Sequence, residues 1–161
     1  MINNEKMKNM LQETEKSNIN EKLVKLTLDN IKKLFCPNFI HIYDCIIISD
    51  KEIELSVGQY DKVIGMFGDR TGYEASNNDT RINDYFDSGV SGFEALSIAM
   101  ILIDVWGNKL KALEPDINFC FIVDCNDDYV TLRFHKVRID ERMWLSNNIE
   151  DYSGAIGYII K

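Results

Sequence analysis

The sequence predicts an α+β fold: a mainly antiparallel sheet with a buried central helix and an N-terminal amphipathic helix packed on it. Two patterns and their order carry this expectation. Over residues 93–113, one stripe (Ala95, Ala99, Leu102, Trp106, Leu110, Leu113) and a second (Phe93, Leu96, Met100, Ile103) nearly meet around a helical wheel. Such a helix must be covered on most of its circumference. Over residues 117–134, apolar residues take alternate positions on both sides of Cys125-Asn126-Asp127-Asp128, which marks a β-hairpin. The order helix, strands, buried helix, strands then places helices on one face of an antiparallel sheet.

Residues 1–18 read as a polar leader, partly helical and frayed. Residues 19–161 read as one α+β domain, a length ordinary for a single core. Leu23, Leu26, Ile31, Leu34 and Phe35 recur at helical spacing after the caps Asn18 or Asn20 and before Pro37, which predicts a helix over residues 20–35. Residues 39–48 are β-branched and aromatic, hence a strand, covered on both faces at Cys45-Ile46-Ile47-Ile48. Ser49-Asp50-Lys51-Glu52 is turn chemistry, and Ile53, Leu55 and Val57 alternate as its partner strand. A third short strand is expected over 63–67, a turn over 68–72, and irregular chain over 73–92. Ser91-Gly92 caps the buried helix and Pro115 follows its end. The alternation changes parity after Lys136, where a bulge is expected. Residues 140–154 form a loop or short helix around Trp144, and 155–160 supply a last strand.

Eighteen Lys+Arg stand against 26 Asp+Glu, a net charge of −8. Residues 1–36 carry +2, so residues 37–161 carry −10. A body this acidic repels phosphate backbones and attracts basic partners, which argues against nucleic-acid binding. There is no secretory signal pattern and no apolar run of membrane-spanning length. With four cysteines and no export signal, the protein is expected to be cytoplasmic, its thiols reduced. Twenty-one Ile, 15 Asn and 13 Lys point to AT-rich coding and a bacterial source.

Cofactor and catalytic motifs are missing. Cys36, Cys45, Cys120 and Cys125 lack the paired short spacings of structural zinc. Asp124 to Asp128 begins like a calcium loop, but Tyr129 stands where glycine is needed and His135 where the bidentate glutamate belongs. No nucleophile elbow and no phosphate-binding glycine motif occurs. No catalytic residue, metal or cofactor is therefore expected.

Two clusters combine aromatics with acidic residues in polar surroundings: Asp79, Asp84, Tyr85, Phe86 and Asp87, and Trp144, Glu150, Asp151 and Tyr152. Aromatic anchors ringed by charge suit a protein-binding surface, the carboxylates steering and the rings anchoring. The same aromatics also suit inward packing at the sheet edge. From the Phe93-Glu94-Ala95-Leu96 helix to the paired strands at 118–123 and 129–138, the chain resembles small acidic bacterial immunity proteins of toxin systems. The resemblance is one of size, acidity and helix-then-hairpin order. It implies a non-catalytic, antitoxin-like module that occludes a basic partner such as a toxin. Two other readings stand beside it: a metal-assisted hydrolase using Asp124 or Asp127 with His135, and a homo-oligomeric structural protein.

Overall fold

The computed structural model describes residues 1–16, 27–86 and 89–161. In chain order these form β1 (Ile2–Asn3), α1 (Glu5–Lys16), α2 (Leu28–Phe35), β2 (Phe39–Ile42), β3 (Cys45–Ile48), α3 (Val57–Phe67), α4 (Arg70–Asn77), β4 (Thr80–Arg81), a 3-10 turn (Ile82–Tyr85), α5 (Gly92–Leu113), β5 (Phe119–Asn126), β6 (Tyr129–Lys136), a second 3-10 turn (Ile149–Asp151) and β7 (Ala155–Ile160). One antiparallel sheet has the order β1-β7-β5-β6-β4, and β2 with β3 makes a separate hairpin. The architecture is α+β, as the sequence predicts.

Helix α5 has 22 residues and so runs about 33 Å along one face of the sheet. It starts with a capping box: the Ser91 hydroxyl accepts from the Glu94 N–H, and the Glu94 carboxylate accepts from the Ser91 N–H at 2.8 Å. Ser91→Ala is expected to lower stability by about 1 kcal/mol in urea unfolding; no change would show that the box does not hold this end. Against α5 lie Phe119, Phe121 and Val123 of β5 and Val130, Leu132 and Phe134 of β6. The Phe134 ring meets those of Phe39, Trp106 and Phe119 edge-on. The Trp106 indole N–H donates to the Leu34 carbonyl at 2.9 Å, so a buried donor satisfies a carbonyl that the end of α2 leaves open.

Residues 2–16, expected as a frayed polar leader, are strand β1 and helix α1. Asn4 explains the difference. Its Oδ1 accepts from the N–H of Met7 and of Ile156, and its Nδ2 donates to the Gly154 carbonyl. One buried side chain thus closes the first turn of α1 and ties it to β7, while Met7 enters the main core. The first seven residues of the helix expected at 20–35 (20–26) fall outside the described residues; its second half is α2, whose Leu34 packs on α5.

Residues 39–77 depart most from the sequence expectation. The apolar run 39–48 is two short strands, not one, because the chain reverses at Tyr43-Asp44 with Tyr43 at φ 53°. That backbone costs a non-glycine residue roughly 1 kcal/mol, offset by the Tyr43 ring lying 4.5 Å from that of Tyr60 and its hydroxyl donating to Leu55 O. The strands expected around 53–57 and 63–67 are absent there; α3 occupies 57–67 instead. Ser56 and Gln59 form its capping box, so the alternation of Ile53, Leu55 and Val57 belongs to a helix approach. The expected turn at 68–72 is the start of α4, where Asp69 Oδ1 accepts from the Gly72 N–H at 2.7 Å. A Cβ at Gly72 would stand 2.3 Å from the Phe67 carbonyl oxygen, so α3 and α4 meet here through glycine alone. At Lys136 there is no bulge: pairing is regular to Phe119↔Lys136, and the parity change is the chain leaving the sheet.

Helix α4 joins the small hairpin to the main sheet with two side chains one turn apart. Glu74 is fully buried; its Oε1 accepts from the Ile46 N–H, and its Oε2 from the Lys136 N–H and Arg138 Nη1. Asn78 accepts from the Ile48 N–H and donates to the carbonyls of Ile46 and Phe134. Two strand edges that do not pair with each other are satisfied from the helix between them. No described helix is long and apolar enough to cross a membrane.

Candidate functional site

The second face of the sheet carries Cys120, Ile122 and Asp124 from β5 and Thr131, Arg133 and His135 from β6, by the two-residue period of strands. Residues 137–154 run back across it. Leu145 is buried against Cys120, Ile122 and Ile156, with Val137, Met143, Trp144, Ile149 and Tyr152 packed around them. Where this cover ends, near the β5–β6 turn, it leaves a cavity of about 250 Å³ lined by Asp124, Asn126, Arg133, Trp144, Tyr152 and Gly154 among others. Gly154 packs closely here, and a Cβ would stand 3.1 Å from the Cys125 carbonyl oxygen.

Arg133 is the centre of the site. Asp124 pairs with Thr131 and Ile122 with Arg133, so Asp124 and Arg133 are diagonal neighbours on one face. Arg133 Nη2 lies 3.1 Å from Asp124 Oδ2 and 2.9 Å from Asp79 Oδ2. Its guanidinium carbon sits 4.5 Å from the Trp144 ring centre, a cation–π stack. Its Nε is buried without a hydrogen-bond partner among the described residues. Burial pushes the Asp124 carboxyl above its ordinary pKa and the Asp79 charge adds to this, while Arg133 opposes both. One cation therefore faces two carboxylates, leaving a negative, aromatic-lined recess.

Of the residues singled out in the sequence, Asp79, Trp144 and Tyr152 come together here. Tyr152 accepts from the Ser146 N–H through its hydroxyl. Glu150 and Asp151 precede it in an exposed 3-10 turn; Glu150 accepts from the Glu5 N–H and Asp151 from Asn148 Nδ2. The other cluster divides. Asp84 is exposed, but Tyr85 packs against the main core and Phe86 lies within it, on the α5 side of the sheet. The Phe86 ring is therefore turned inward and not presented as an anchor; Asp87 lies outside the described residues. Arg133 carries no functional signal of its own in the sequence; the alternation of β6 only sets it on one face with Thr131 and His135.

The hydrolase grouping does not converge. Asp124 stands opposite Thr131, four residues along β6 from His135, about 13 Å at strand rise. Asp127 sits at the hairpin tip with φ 53°. His135 is fully buried, its Nδ1 2.8 Å from the Lys136 carbonyl. No three His, Cys, Asp or Glu side chains among the described residues are grouped to hold a metal ion. The four cysteines are free thiols, and burial raises Cys45 to about 11 and Cys120 and Cys125 to about 12, which keeps those three protonated and unreactive.

Two groups, one buried and one half-buried, make stability depend on pH in the same direction. Burial lowers the His135 pKa below 6.5. Burial raises that of Glu141, but hydrogen bonds from Arg70 and Thr71 and the Arg138 charge outweigh it and hold Glu141 at about 2. Both groups bind protons more readily when unfolded, so stability rises with pH. The His135 contribution is complete above 6.5 and falls away below it; that of Glu141 is complete above 4.5 and is lost toward about 2. Urea midpoints are expected to fall steadily from neutral pH into acid, and Glu141→Gln should flatten the lower part of the curve. A midpoint unchanged at about pH 4 would contradict this assignment.

A family model described as the "Uncharacterized protein PM0498 family" matches residues 2–160. The chain belongs to that family. The match runs from β1 to β7 and takes in both faces of the sheet. A relative from Pasteurella multocida (strain Pm70), printed as "Uncharacterized protein PM0498", is 28% identical over 156 residues, covering 92% of this chain and 94% of its own. No solved structure matches the chain.

Proposed function

We propose that this chain is a non-catalytic binding module that occludes a basic protein partner in the cytoplasm, in the manner of an immunity or antitoxin protein. The observation that carries the reading is the charge imbalance at the aromatic-lined recess: Asp79 and Asp124 share the single guanidinium of Arg133. Trp144 and Tyr152 supply large rigid surfaces beside it, and Glu150 and Asp151 add negative charge on the exposed turn that precedes Tyr152. The recess is built on the central strands β5 and β6, so its groups are held in place before any partner arrives. The excess of ten negative charges over residues 37–161 would steer a basic protein toward the chain. Free thiols suit a reducing compartment.

The partner to test is the product of the adjacent reading frame. Calorimetric titration is expected to give saturable one-to-one binding, and co-expression should protect cells from any toxicity of that product. Neither heat nor protection would overturn the reading. A solution mass that rises with concentration in the absence of partner would favour a homo-oligomeric protein instead.

A further inference from the structure

We propose that the cavity beside Arg133 receives an arginine side chain of the partner, held by the Asp124 carboxylate and the rings of Trp144 and Tyr152 that line it, with Asp79, paired to Arg133, adding to the negative field. This rests on the docking reading above and specifies its anchor. Each aspartate meets Arg133 through Oδ2, and both carboxylates remain open to solvent, with side-chain exposures of 41% for Asp79 and 29% for Asp124. The site is thus short of one positive charge. It is also short of an acceptor, because Arg133 Nε is buried without one among the described residues. An arginine residue brings the missing charge through its guanidinium.

Size and chemistry agree. A cavity of about 250 Å³ falls below the usual range of roughly 300–1,000 Å³ for small-molecule and cofactor sites; it suits one side chain. Guanidinium is planar, weakly hydrated and rich in donors, so it loses less on leaving water than ammonium does and stacks on aromatic faces. The structure already shows that packing in Arg133 over Trp144 and in Arg81 over Tyr129. Burial of Asp124 works in the same sense, since a second cation would favour its ionised form.

The test uses the full chain, labelled with nitrogen-15, and blocked arginine (N-acetyl-arginine amide) as probe. Two indole signals are expected, from Trp106 in the core and Trp144 at the cavity. Titration should move the Trp144 signal saturably, with a Kd on the order of a millimolar, and leave that of Trp106 in place. Blocked citrulline, the neutral isostere, should not move it. Asp124→Asn should weaken the effect about tenfold, with the Trp106 signal certifying the fold, and Asp79→Asn should weaken it independently. An unmoved Trp144 signal, equal response to citrulline, or full binding by both variants would overturn the proposal. A partner that binds wild type and Asp124→Asn equally would leave the docking reading standing and remove this anchor.

Discussion

Glu74→Ala is expected to lower stability by about 3–5 kcal/mol in equilibrium unfolding. Glu74 is fully buried and accepts three hydrogen bonds within 2.8 Å, from Ile46, Lys136 and Arg138. Removing it strands the Arg138 guanidinium, whose side chain is 7% exposed, and orphans two buried backbone donors. Arg138 keeps the Asp44 carbonyl and carboxylate, a weak contact to Cys45 Sγ and a longer one to Glu141. Replacing both partners, as Glu74→Leu with Arg138→Met, should recover part of the loss, because no unpaired charge remains. Recovery should stay incomplete, since the Ile46 and Lys136 N–H groups still lack acceptors. A single-variant loss below about 1 kcal/mol would show that α4 does not join the hairpin to the sheet in this way.

Trp106→Ala is expected to cost a similar amount, about 3–5 kcal/mol. The side chain is 1% exposed and sits where α5, α2, the β2–β3 hairpin and Phe134 of the sheet converge. No neighbour can collapse into the space without giving up its own contacts. Trp106→Phe separates volume from hydrogen bonding: it keeps a ring but leaves the Leu34 carbonyl without its donor, and should cost about 1–2 kcal/mol. Equal losses in the two variants would mean that the indole N–H, not packing, dominates at this position.

The sequence reveals much about one half of the fold and little about the other. Helix α5 is legible because its two stripes leave no polar face, and the β5–β6 hairpin because one face of each strand packs on α5. Residues 39–77 resist reading for a physical reason. The run from Cys45 to Ile48 is covered on both sides in the structure, so it has no alternation to mark the reversal at Tyr43-Asp44. Helix α3 packs only through partly buried residues, Tyr60, Val63 and Ile64, a helical spacing too short to stand out beside the alternation of Ile53, Leu55 and Val57; Ser56 and Gln59 carry the local signal for its start. The leader also hides its order, because Asn4 acts through bonds to residues 154 and 156 that no local pattern announces.

The candidate site divides in the same way. Trp144 and Tyr152 stand out as aromatics in a polar stretch, and Asp79 as part of an acidic one. Arg133 does not, although the period-two alternation already puts it on one face with Asp124. What the pattern omits is the roof: residues 137–154 fold back over that face, turning a solvated row into a recess. Tyr85 and Phe86 look the same in sequence, yet their loop meets the α5 side and they pack inward.

The most direct test of the docking account is the rate at which the chain associates with the adjacent reading frame's product, followed by stopped-flow at low and high salt. An acidic surface that steers a basic partner predicts a fall of about 10–100-fold as salt screens the field, with a shallower fall when Glu150 and Asp151 are replaced by Gln and Asn. A rate that ignores salt in both proteins would contradict it.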